Sequence, residues 1–188
     1  MTADAAAPVL RSPRLLRRLL SVALPVLCAA TSSACTATPA PGMTASVTDL
    51  HLLRHTPFFT ALSTPQLRWV IQHSREWEVG AGTAIIDAAH SGNRDDYWIL
   101  LDGGWTLHLH GQQWRSGHAD PGKWLQASQL DGGAFALVAD PHSYVMQIAA
   151  QDMQAMLDQQ CAFAPQLDAG TAFYRGLRQS PVPVAPTP

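Results

Sequence analysis

From Trp77 onward the chain breaks into short apolar runs, over residues 77–79, 83–87, 97–101, 105–110, 114–117, 135–139 and 144–148. Between them fall clusters built to turn a backbone: Gly80-Ala81-Gly82, Ser91-Gly92-Asn93, Asp102-Gly103-Gly104, Asp120-Pro121-Gly122 and Asp131-Gly132-Gly133. Runs this short cannot bury themselves alone. Several of them at such spacing predict two antiparallel sheets closed into a sandwich or roll.

Helical patterns flank this region. Residues 49–55 carry Leu50, Leu52 and Leu53 and are stopped by Thr56-Pro57. Ser63 as N-cap, Gln66 three residues on and Pro65 in the first turn predict a second helix running to about Arg75, with Leu67, Val70 and Ile71 on one face. Met153, Met156 and Leu157 mark a helix over 151–159, and another is expected over 165–178. The Pro-rich residues 180–188 are expected to be a disordered tail. The fold class expected is therefore mainly β with flanking helices, a jelly roll or β-roll over residues 49–179.

A chain of 188 residues has room for one domain plus extensions. From Met43 onward eight basic residues stand against thirteen acidic ones, a net charge of −5 with His neutral. That balance lacks the basic footprint of a nucleic-acid binder, and no nucleic-acid partner is expected.

Four of the twelve basic residues, Arg11, Arg14, Arg17 and Arg18, precede an apolar stretch over 19–30 that is too short to span a bilayer. Small residues Ser32-Ser33-Ala34 follow, so residues 1–34 read as a secretory signal. Cys35 comes next, then a polar tether rich in Thr, Ala and Pro, with a flexible linker expected over 35–48. This order resembles a bacterial lipoprotein precursor, which implies lipidation at Cys35, a membrane anchor there, and an outer-membrane or periplasmic location. Ser32 stands where such precursors favour Leu. Ordinary cleavage after Ala34 and a cytoplasmic product starting at Met43 are the alternatives.

Of the three cysteines, Cys28 lies in the signal and Cys35 at its end, which leaves Cys161 alone. The mature chain therefore holds no internal disulfide and no multi-cysteine zinc site, and Cys161 reads as a buried apolar residue. No G-x-S-x-G, P-loop or His-Glu-x-x-His occurs, so no enzyme activity and no cofactor are expected. Asp95-Asp96 reads as a solvated turn.

Leu52-Leu53-Arg54, Pro57-Phe58-Phe59, Leu62-Ser63 and Gln66-Leu67 together resemble the opening of cyclic-nucleotide-binding domains of the catabolite-activator type. Val79 to Ile86 is similar to that family's paired glycines before a strand. The run from Tyr97 to Gly103 is similar to its strand and turn, and Pro121-Gly122-Lys123-Trp124 to its Pro-Gly-Asp-Phe. The resemblance covers about residues 50–160 and implies a β-roll with helices packed at its ends.

It also implies a ligand chemistry. The family holds a cyclic phosphate on a short helix N-terminus and one Arg, and a ribose hydroxyl on a Glu, because an unpaired buried anion is costly. Here the Gly-Glu positions are read as Leu125 and Gln126, and no Arg or Lys occurs from Trp124 to Tyr174. Asp131 and Asp140 are expected to repel phosphate. The resemblance thus points to a degenerate cassette of Trp124, Leu125, Gln126 and Phe135 that binds neither cAMP nor cGMP. Trp124 or Leu125, with Phe135, is expected to fill the roll. The partner is then an unidentified protein or a neutral small molecule.

His108-Leu109-His110, with His118 nearby, is similar to the His-x-His of metal-binding cupins and gives the alternative, a metal site. The Glu that follows the pair in cupins is missing; Gln113 and Trp114 stand there. A two-residue turn at Gly111-Gln112 sets Leu109 opposite Trp114 and points His108 and His110 outward, with His118 on the other face.

Overall fold

A computed structural model describes residues 41–130 and 133–179. Nine strands and four helices follow in the order β1 (Met43–Ser46), α1 (Leu50–His55), α2 (Thr64–Gln72), β2 (Ser74–Val79), β3 (Ala84–Asp87), β4 (Tyr97–Asp102), β5 (Gly104–Leu109), β6 (Gln112–Gly117), β7 (Trp124–Gln126), β8 (Phe135–Ala139), β9 (Ser143–Ile148), α3 (Ala150–Asp158) and α4 (Ala164–Gln179). A single 3-10 turn, Ala127–Gln129, follows β7. The strands form two sheets, one ordered β1-β2-β9-β4-β7 and the other β3-β8-β5-β6, and all pairs are antiparallel.

The five-stranded sheet is apolar on both faces. On β4, Trp98 and Leu100 point between the sheets, where they meet Leu125, Val145, Trp105, Leu107 and Leu137. The alternate residues Ile99 and Leu101 point the other way, onto Leu53, Leu67, Val70, Met153 and Met156 of the helices. A strand buried on both sides reads as an unbroken apolar run, as residues 97–101 of β4 do. The four-stranded sheet has one covered face, so β5 alternates: Trp105, Leu107 and Leu109 are buried and Thr106 and His108 half-buried. The two cores, one inside the roll and one under the helices, share this central sheet. Among the described residues no helix is long and apolar enough to cross a membrane.

Local signals set the boundaries. Ser63 and Gln66 form the reciprocal capping box, and Asp49 caps α1 by accepting from His51 N–H. At Gly103 φ is +78°, and a Cβ there would lie 2.5 Å from the His142 carbonyl, so the β4–β5 turn requires glycine.

Four expectations change. The second helix ends at Gln72, because His73 N–H and ring both bond back to Trp69 O while Ser74 already pairs with Ile148. The tether expected over 35–48 ends in a strand: Met43–Ser46 pairs with Glu76–Val79. The β5–β6 turn falls one residue earlier, at His110-Gly111, both with positive φ, and Leu107 opposes Trp114. The slip preserves parity, so the inward face of Trp105, Leu107 and Leu109 is unchanged. Trp124–Gln126, read from sequence only as cassette, is an edge strand on β4.

Candidate functional site

The cassette segment begins on β7, where neighbouring side chains must take opposite faces. Leu125 opposes Trp98 and is fully buried inside the roll, beside Ala127, Leu130 and Phe135. Trp124 opposes Ile99 and turns the other way, into the core beneath the helices. Leu125 and Phe135 thus stand within the roll and Trp124 does not. Its indole Nε1 donates to Gln166 O of α4 at 2.9 Å, and its ring lies 5.6 Å from that of Tyr97 and 6.2 Å from that of Tyr174. Gly170 makes this seat possible, since a Cβ there would lie 2.1 Å from Trp124 Nε1.

Gln126 is half-buried and donates to Asp95 O at 2.8 Å. Across the 3-10 turn lies a residue that the sequence reading left aside, Arg94. Its Nη2 donates to Ala127 O at 2.8 Å, its own carbonyl accepts from Ser128 N–H at 2.9 Å, and its guanidinium stands 5.5 Å over the Phe135 ring. Arg94 lies 33 residues upstream of Ala127. No local pattern announces a contact that the β3–β4 loop makes by folding over the roll. Arg178 Nη1 also donates to Gln129 O, at 3.3 Å.

Helix α4 closes the other side. Tyr174 is buried, and its hydroxyl donates to Trp124 O at 2.7 Å and Gly122 O at 3.3 Å. Burial pushes its phenol far above the ordinary range. The only lysine, Lys123, is also buried; burial pulls its ammonium pKa down, and the Asp120 carboxylate opposes that shift.

Two of the acids, Asp140 and Asp96, are held by partners. Asp140 is no bare charge, because Arg115 Nε reaches its carboxylate at 2.7 Å. Asp131 lies outside the described residues, as do Cys35, the signal sequence and the tail from residue 180. Asp96, read as part of a solvated turn, is buried and accepts from Asn93, from Gln147 and from Ala150 N–H.

The histidines of the cupin-like alternative are not gathered. His108 faces Gln113 on the outer side of β5, and His110 occupies the turn. His118 lies 3.7 Å from Asp102 Oδ1. Among the described residues no group of three His, Cys, Asp or Glu side chains is placed to hold a metal. Cys161 is buried, and burial raises its thiol pKa against a hydrogen bond from Gln66.

A cavity of about 670 Å³ lies elsewhere, against Trp77, Trp98, Ile85 and Ile86, and takes no lining residue from 124–130 or 133–135.

No family model and no curated protein matches the sequence. Solved structures do. The chain is similar to cAMP-bound PfPKA-R (141–441) at 14% identity and TM-score 0.52, over 68% of this chain and 44% of that one, which is longer. It is similar to a cyclic nucleotide-binding domain from Methylobacillus flagellatus at 9% identity, over 73% and 84% of the two chains, TM-score 0.48. A third is the Thermus thermophilus catabolite activator protein, at 21% identity over 69% and 59%, TM-score 0.44. Such identities speak to the fold alone. Mainly antiparallel sheets, helices covering one of them and this similarity together give the described domain the β-roll fold of cyclic-nucleotide-binding domains.

Proposed function

We propose that this domain is a non-catalytic binding or interaction module that retains the cyclic-nucleotide-binding roll but binds neither cAMP nor cGMP. The closed cassette carries this reading. Leu125, Leu130 and Phe135 occupy the roll interior beside the 3-10 turn. The cation nearest that turn, Arg94, is already committed to Ala127 O and to the Phe135 ring. Arg178, the other cation at the turn, donates to Gln129 O, so a cyclic phosphate entering here would lose its hydration and have to displace existing bonds to gain a counter-charge, which is unfavourable for an anion.

Thermal unfolding tests this. A ligand held with micromolar affinity and present at about 1 mM stabilises a fold by about 4 kcal/mol, a shift of about 10 °C or more. The expected result is an unchanged midpoint with cAMP and with cGMP. A rise of several degrees with either contradicts the proposal.

The module is further read as part of an exported lipoprotein. The basic residues before the apolar stretch 19–30, and the small residues before Cys35, support this. Expressed in a bacterial host, the wild-type protein is expected in the membrane fraction, and Cys35→Ser in the soluble fraction or uncleaved. Wild-type protein found wholly in the cytosol defeats this reading.

A further inference from the structure

Trp77 on β2 and Trp98 on β4, with β9 between them, both point between the sheets. Opposite, the pairing of β3 with β8 shifts between Ala84 and Ile86. That bulge lets the consecutive residues Ile85 and Ile86 both enter the roll core, where regular alternation would expose one. Two indoles and two isoleucines thus wall a cavity of about 670 Å³, inside the range of pockets that enclose small ligands.

The polar capacity left in this lining accepts hydrogen bonds. Gln147 stands opposite Trp98 in the sheet, and its Nε2 donates to Asp96 Oδ2 at 2.9 Å. That bond fixes the amide's orientation. Its carbonyl oxygen takes no hydrogen bond among the described residues and remains available to a donor.

Asp87 is the only Asp, Glu, Lys or Arg that lines the space. Its Oδ1 accepts from Ala89 N–H at 2.8 Å and His90 N–H at 2.6 Å, and lies 3.2 Å from His90 Nδ1. Its Oδ2 meets only His90 Nδ1, at 3.4 Å, so most of that oxygen's acceptor capacity is open. The side chain is 32% exposed and can be reached. Desolvation raises the Asp87 pKa, but the bonds from His90 and Ala89 outweigh it and hold the carboxyl below its ordinary value. The lining therefore carries a negative charge at neutral pH. Arg75, opposite Gln147 on β2, is exposed and stands outside the lining.

An apolar space with aromatic walls and one accessible carboxylate suits a cation with an apolar body. We propose that this cavity binds an organic monocation, a protonated amine carried on one or two rings, with Asp87 as its counter-charge. A neutral ligand is the expectation from sequence; the charge of the lining favours a cation over it.

This rests on reading the domain as a binding module, and the two ideas fail separately. Binding of cAMP would defeat the earlier proposal and leave the following experiment to be decided on its own result. Three probes of similar shape are titrated into the full chain: naphthylmethylammonium, the neutral naphthylmethanol and the anion naphthoate. Methyl signals of Ile85 and Ile86, assigned through Ile85→Val and Ile86→Val, are followed in proton–carbon spectra. The ammonium is expected to shift both signals saturably and to bind about 3- to 10-fold tighter than the alcohol, with naphthoate weakest. Asp87→Asn keeps an acceptor for the Ala89 and His90 amides but removes the charge. It should bring the ammonium down to the affinity of the alcohol and leave the alcohol unchanged. Should Asp87→Asn fail to fold, salt at about 1 M must shrink the ammonium's advantage in the wild type, because a partly exposed carboxylate is open to screening. No saturable shift, tightest binding of naphthoate, or an advantage that survives Asp87→Asn (or salt, where that variant does not fold) overturns the proposal.

Discussion

Trp124 shows how one side chain's direction decides what a site can do. It follows Gly122-Lys123, where a ligand-holding turn is expected, and its bulk suggests a plug for the roll. Strand geometry sends it the other way. Because Trp124 and Leu125 are adjacent on β7, only one of them can enter the roll, and the register with β4 selects Leu125. Trp124 instead fixes α4 to the sheet through its bond to Gln166 O and its contact with Gly170. Trp124→Ala should therefore destabilise the domain by about 3–5 kcal/mol in urea unfolding, as truncation of a fully buried aromatic does. A loss below about 1 kcal/mol would mean that the indole is dispensable to the helix interface.

At the scale of elements, the termini of the helices separate what local sequence encodes from what folding supplies. Helix α2 carries its own start signal, the Ser63–Gln66 capping box. Helix α3 carries none: its N-cap is Ala149, which has no capping side chain. The carboxylate of Asp96 takes over, accepting from Ala150 N–H and from Gln147 of β9. Replacing Asp96 with Ala removes a carboxylate acceptor from several donors at once. The expected loss is about 1–3 kcal/mol in unfolding free energy, with the amides of residues 150–153 exchanging faster than those of α2. Equal protection of the two helix starts in the variant would contradict this role. The same division governs what could be read in advance. The inner β strands and the alternation on β5 were legible, because apolar period and turn residues are local. Strand β1 was not, since Met43–Ser46 owes its order to pairing with β2 and carries no pattern of its own. The β5–β6 turn was misplaced by one residue because His110 adopts φ +51°, a conformation usually left to Gly, Asn or Asp.

For the whole molecule, Leu125, Leu130 and Phe135 pack inside the roll beside the 3-10 turn, and a cavity lies against Trp77 and Trp98. That no Arg or Lys occurs from Trp124 to Tyr174 was visible in sequence, and so was the apolar character of Leu125 and Phe135. Two facts were not visible. Arg94 arrives from the β3–β4 loop to cover Ala127 O, and the cavity opens on Trp77 and Trp98, far along the chain from the cassette. Both depend on which loops fold over which end of a closed roll, and such information resides in topology. Arg115 pairing with Asp140 across the four-stranded sheet belongs to the same class. The central claim is that this fold persists with its nucleotide site closed. Isothermal titration calorimetry of the full chain with cAMP and cGMP examines it most directly. The account predicts no saturable heat with either nucleotide, whereas a one-site isotherm of micromolar or tighter affinity for either would contradict it.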